Sequence, residues 1–211
     1  LFETWPREAA DGGYEGIQAA PPFRFLAKYQ YVLKEEEQKM DEVRIDLRKI
    51  GEDERQKREQ QEWLLFRLNH TFYLEPGYKE LMRKLFAGKI GENSFVKAPL
   101  SGAELSNISI GNGIYVNSNL LAMARGGIVI EDDVQIAANV QLITNNHDLY
   151  DRQVLTCQPI VLKKGAWIGA GVTILPGITV GKYAVIGAAS VVTHDVGNYE
   201  VVVGNPAKCI K

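Results

Sequence analysis

From Ile90 onward helical periodicity vanishes, and from Ile130 aliphatic residues return every six positions in two runs. Ile130, Ile136 and Leu142 form one run, and Leu162, Ile168, Ile174, Val180, Ile186 and Val192 form a second. A register two residues upstream holds small or branched residues: Val134, Val140, Ile160, Ala166, Val172, Ile178, Ala184 and Ser190. A period of six matches neither an α-helix nor an alternating strand. It fits a parallel β-helix, in which each hexapeptide forms one face of a triangular coil and three faces complete a turn. Both registers then point inward and stack on their equivalents in the next coil. Glycine often follows the first register, as at Gly111, Gly169, Gly181 and Gly187, and these glycines are expected to turn the corners. The step from Leu142 to Leu162 is twenty residues, two more than a whole coil, so a bulge interrupts the count. Insertions in repeat proteins lie on one face and tend to carry function. The bulge contains "NNHD", and with it His147.

The earlier part of the chain has no such repeat. Leu33, Met40, Val43, Leu47 and Ile50 fall at loose helical spacing among strong helix formers, which predicts an amphipathic helix. "GEDERQKREQQ" then reads as a solvated helix or a break between two helices. "GYKELMRKLFAGKIG" predicts a further helix closed by Gly88. Residues 1–30 predict no definite structure. The chain thus divides into a largely helical segment, 1–88, and a mainly β domain, 89–211, with a projecting loop at 143–159.

Composition narrows the setting. The 211 residues are 45% hydrophobic and 24% charged with a net charge of −2, ordinary for a globular protein and without a basic excess for nucleic acid. No apolar run approaches the roughly 18 residues that span a bilayer. No secretory leader is visible, and two cysteines are too few for a disulfide framework, so a reduced cytoplasmic setting is expected.

The repeat stands together with "LLFRLNHT", "KLFAGKIGENSFVKAPL", "IYVNSN", "NNHD", "GAWIGAGVTILPGITVG", "VIGAASVVTHDV" and "VVVGNPAKCI". From near Trp63 to the end, this text resembles the hexapeptide-repeat acyltransferases, and most of all their galactoside and maltose O-acetyltransferase branch. The resemblance implies a left-handed β-helix and a homotrimer with active sites in the clefts between subunits. It also implies acetyl-CoA as donor, a small-molecule hydroxyl compound as acceptor, and no metal.

Site residues follow from the same resemblance. His147 matches the family's catalytic histidine, and an imidazole with an ordinary pKa near 6.5 suits a general base. Asn117 and Tyr115 match positions lining the acceptor pocket; Asn117 can both donate and accept hydrogen bonds and joins His147 in the catalytic group. Galactoside acetyltransferases carry an acceptor-side aspartate where this chain has Arg125, in "MARGG". A guanidinium cannot accept a hydrogen bond and favours an anion, so Arg125 is either an acceptor contact of different chemistry or a surface charge. Trp167, Ala170, Ala188, Thr193, His194 and Lys208 match donor-side positions. The alanines would let a pantetheine arm lie close, Trp167 would shape the wall beside the acetyl group, and Lys208 would meet a phosphate. His194 stands where lysine is often found.

Other readings remain at this point. Cys157, in the same loop, suggests an acetyl-cysteine route, although no base is placed to activate it. A zinc carbonic anhydrase built on the same coil needs three histidines, and the chain has His70, His147 and His194, with His70 ahead of the coils and read as structural. A non-catalytic scaffold and a serine acetyltransferase complete the alternatives.

Overall fold

A computed structural model describes residues 42–211. Leu33, Met40 and residues 1–30 lie outside the described residues. Within them the hexapeptides wind into three parallel sheets around one axis. The first face stacks Phe95–Val96, Tyr115–Val116, Gln135–Ile136, Trp167–Ile168, Val185–Ile186 and Val201–Gly204, closed by antiparallel Ala207–Cys209. The second stacks Leu100–Ala103, Leu120–Met123, Gln141–Ile143, Thr173–Ile174 and Val191–Val192. The third stacks Ile108–Ile110, Ile128–Ile130, Ile160–Leu162 and Thr179–Val180.

Every residue of both six-residue registers is buried, none more than 5% exposed. Ser190, the polar member, donates its hydroxyl to the Gly187 carbonyl at 2.7 Å and accepts from Gly204 N–H at 3.0 Å, so it enters the apolar column fully paired. The glycines after the first register do something other than turn corners. Left-handed backbone falls elsewhere, at Asn119, Asp133, Asn139 and Gly171 among others. A Cβ on Gly169 would stand 2.6 Å from the Ile186 carbonyl oxygen, and one on Gly181 2.5 Å from the Asn198 nitrogen. These sites are small because the next coil's backbone passes over them.

The segment before the coils departs from the helical expectation. Val43–Asp46 is a β-strand and Leu47–Lys49 a single 3-10 turn. Spacing at Val43, Leu47 and Ile50 resembled a helix, but an open strand edge in the hairpin at 145–157 offers the backbone its partners instead. "GEDERQKREQQ" is helical, within Glu52–Asn69; its first turn carries Glu52, Asp53 and Glu54 against the positive end of the helix dipole. This helix buries only Gln61, Leu65 and Leu68, and Gln61 Oε1 accepts from Leu105 N–H at 2.6 Å. Pro76–Leu85 forms a second helix burying Tyr78, Leu81, Met82 and Leu85, which share one core with the first coil. Gly88, with φ 77°, donates to the Arg83 carbonyl at 2.8 Å and ends it, one residue after Ala87 has already turned left-handed.

Candidate functional site

The interruption is longer than the two-residue excess the spacing predicts: Leu142 and Leu162 stand on adjacent faces, so the step between them is one hexapeptide plus about fourteen residues, and those residues form a β-hairpin. Asn145–His147 pairs antiparallel with Val154–Cys157, placing His147 opposite Leu155, and Val43–Asp46 pairs along the other side as a third strand. Asp148 shapes the tip: one carboxylate oxygen accepts from Tyr150 N–H at 2.8 Å and Asp151 N–H at 2.9 Å. The other oxygen receives Arg44 Nη2 at 2.6 Å, and the Arg44 hydrogen bond, helped by the two amides, lowers the Asp148 pKa to about 2. The His147 ring is exposed, with Nδ1 2.6 Å from the Arg152 carbonyl oxygen. A carbonyl can only accept, so we assign the hydrogen to Nδ1, which leaves the lone pair of the neutral ring on Nε2.

Coil stacking sorts the other candidates onto two edges of the prism. The hairpin leaves at the edge between the second and third faces, stacked on the corner that holds Arg125: Thr144 N–H donates to Met123 O at 3.0 Å and Gly126 N–H to Thr144 Oγ1 at 2.8 Å. Thr193 and His194 lie at the same edge farther along the axis, with Thr193 Oγ1 2.8 Å from His194 Nδ1. Asn117, Ala170 and Ala188 occupy a different edge, between the first and second faces. There Asn117 Oδ1 accepts from Ser118 N–H at 2.8 Å. Tyr115 and Trp167 stand on the first face, 40% and 57% exposed. Lys208 is exposed on the strand that closes that face.

One chain therefore does not bring His147 together with Asn117, Tyr115, Trp167 or the two alanines. The whole second face separates them, about six residues or roughly 20 Å of extended chain.

Arg125 is neither a surface charge nor a free anion site. Its Nη1 lies 2.8 Å from Glu54 and its Nη2 2.9 Å from Glu104, with the side chain 10% exposed. It lines a cavity of about 720 Å³ together with Ile45, Lys57, Gln61 and Asn107. Cys157 is 1% exposed, and burial raises its thiol pKa, which disfavours the thiolate that an acetyl-cysteine route needs. Among the described residues no three His, Cys, Asp or Glu side chains converge as a metal site.

Several residues around the hairpin carry no signal in the sequence: Asp148 and Asp151 on it, Arg44 and Arg48 on the segment that pairs with it, and Glu54 and Glu104 around Arg125. Their partners lie far along the chain, and only the alternation in "VRID" hinted at a strand.

The bacterial transferase hexapeptide family (six repeats) matches residues 159–194. The galactoside O-acetyltransferase of Lactococcus lactis subsp. lactis (strain IL1403) is 35% identical over 162 residues, covering 73% of this chain and 78% of that protein. A galactoside acetyltransferase structure in complex with coenzyme A superposes with a TM-score of 0.73 at 33% identity, covering 77% of this chain and 84% of that one. A hexapeptide-repeat acetyltransferase from Vibrio cholerae, complexed with acetyl coenzyme A, superposes with a TM-score of 0.71 at 30% identity, covering 76% and 89% respectively.

Proposed function

The chain belongs to the hexapeptide-repeat acetyltransferases, in the galactoside O-acetyltransferase branch, and from that premise we propose that His147 is the general base of an acetyl transfer from acetyl-CoA to a hydroxyl of a sugar or related small molecule. One observation carries this reading: the Arg152 carbonyl, 2.6 Å from Nδ1, holds the ring as the tautomer whose Nε2 can take a proton. The acceptor hydroxyl attacks the thioester carbonyl carbon and gives its proton to Nε2. As the C–S bond breaks, the imidazolium returns that proton to the leaving thiolate.

The donor-side residues fit a long thiol ester. Ala170 and Ala188 are small and exposed at one edge, Trp167 offers an exposed ring on the adjoining first face, and Lys208 adds a cation on the strand that closes that face. Asn117 and Tyr115 would contact the acceptor. Since these groups lie on the first face and its edge with the second, and His147 at the edge between the second and third, the reading requires a second copy that supplies what the first lacks. A homotrimer with its sites in the clefts meets that requirement, and it would cover the exposed Tyr115 and Trp167 rings. The acceptor expected is neutral and polyhydroxylated, because Arg125 is already matched by two carboxylates.

The test is thiol release from acetyl-CoA over a panel of mono- and disaccharides, nucleotide sugars and hydroxy acids, with His147→Ala beside the native protein. The variant should lose about 10² to 10⁴ in kcat while keeping its oligomeric state. Full turnover in the variant would remove His147 from the mechanism, and no acetyl-CoA binding by the native protein would favour the scaffold.

A further inference from the structure

We infer that the Val43–Asp46 strand and the turn after it are a clamp on the His147 hairpin, with Arg44 and Arg48 as positioning residues for the ring. The inference rests on His147 being the base, and it concerns what keeps that base in register.

A two-stranded ribbon projecting from a coil is marginal on its own in water. Here a third strand completes it. Val43, Arg44, Ile45 and Asp46 pair with Cys157, Thr156, Leu155 and Val154, and Leu47 N–H continues the ladder to the Gln153 carbonyl at 2.8 Å. Two charged tethers then reach past the ladder to the hairpin tip. Arg44 Nη2 lies 2.6 Å from Asp148 Oδ2, and Arg48 Nη2 lies 2.7 Å from Asp151 Oδ2. Arg48 is itself aimed by Asp46, which receives its Nε at 2.7 Å and its backbone N–H at 3.1 Å.

The tethers land on either side of the bond that matters. Asp148 follows His147 directly and Asp151 precedes Arg152, whose carbonyl holds His147 Nδ1. Asp148 grips the Tyr150 and Asp151 amides with one oxygen and Arg44 with the other, so moving Arg44 releases the turn that presents that carbonyl. Each ion pair is more than half exposed on its arginine side, where such pairs contribute little to global stability. Their consequence is local, and a catalytic group displaced by about 1 Å can cost on the order of 10² in rate.

The experiment compares native protein, Arg44→Ala/Arg48→Ala, Arg44→Lys, His147→Ala, and the alanine pair combined with His147→Ala. All are studied as the full chain, with acetyl-CoA and an acceptor that supports turnover. The alanine pair should lower kcat about ten- to a hundredfold with the KM for acetyl-CoA unchanged, Arg44→Lys should recover part of the loss, and in the His147→Ala background the pair should cost nothing more. Side-chain ¹⁵N resonances of His147 provide a readout independent of turnover. The native ring should show Nδ1 protonated, and the alanine pair should average the two tautomers. An unchanged kcat with an unchanged ¹⁵N pattern would overturn the clamp, as would an equal loss in the His147→Ala background. If His147→Ala retains native turnover, the base reading fails by itself, and the ¹⁵N pattern still decides whether the arginines hold the ring.

Discussion

Arg125 Nη1 lies 2.8 Å from Glu54 Oε1, joining the edge of the β-helix beside the histidine hairpin to the first turn of the Glu52–Asn69 helix. Nη2 reaches Glu104 at 2.9 Å, so one guanidinium sits between two carboxylates that would otherwise repel. That arrangement explains why an arginine is tolerated at a position 10% exposed, and it withdraws the charge from any anionic ligand.

Arg125→Ala should destabilise the fold by about 1–3 kcal/mol, less than the full value for a buried pair because Glu54 is 40% exposed. Thermal melting should fall by several degrees. Adding Glu54→Gln to that variant should restore part of the loss by removing one of two facing charges; a further drop would show that repulsion is not the cause.

Acidity should open the hairpin before it unfolds the coils. Arg44 and two amides hold Asp148 at a pKa of about 2, below the roughly 3.9 of an unfolded aspartate. A carboxyl depressed on folding contributes fully above its unfolded value, and that contribution is lost as pH falls toward the folded one. Amide hydrogen exchange at Tyr150 and Asp151 should therefore lose protection between about pH 4 and pH 2 while buried coil amides such as Ile168 stay protected. Asp148→Asn should remove most of that pH dependence.

Lys208→Ala should raise the KM for acetyl-CoA several-fold with little change in kcat, because an exposed cation on the Ala207–Cys209 strand can affect donor binding without touching the transferred group. A variant with unchanged KM would take Lys208 out of the donor site.

The β-helix was legible because its constraint is repetitive. Ile136, Ile168 and Ile186 stack on one another, so the same small set of side chains suits each coil and the period appears in the text. The interruption before Leu162 marked the hairpin for the same reason. The glycines recur with the same period, but spacing alone does not give their reason. Whether Gly169 turns a corner or admits a neighbouring backbone depends on the Ile186 carbonyl seventeen residues away.

The sequence by itself determined a coil of hexapeptides, the position of its longest disruption and the histidine within it, since these depend on spacing along one chain. Tertiary structure decided that Val43–Asp46 is a strand, that Arg125 is neutralised, and that His147 stands a full face away from Asn117 and Trp167. Each of these is settled by partners distant in sequence: an open strand edge overrides helical propensity, a charge takes the meaning of the groups beside it, and the winding of the coil sends neighbouring motifs to different edges.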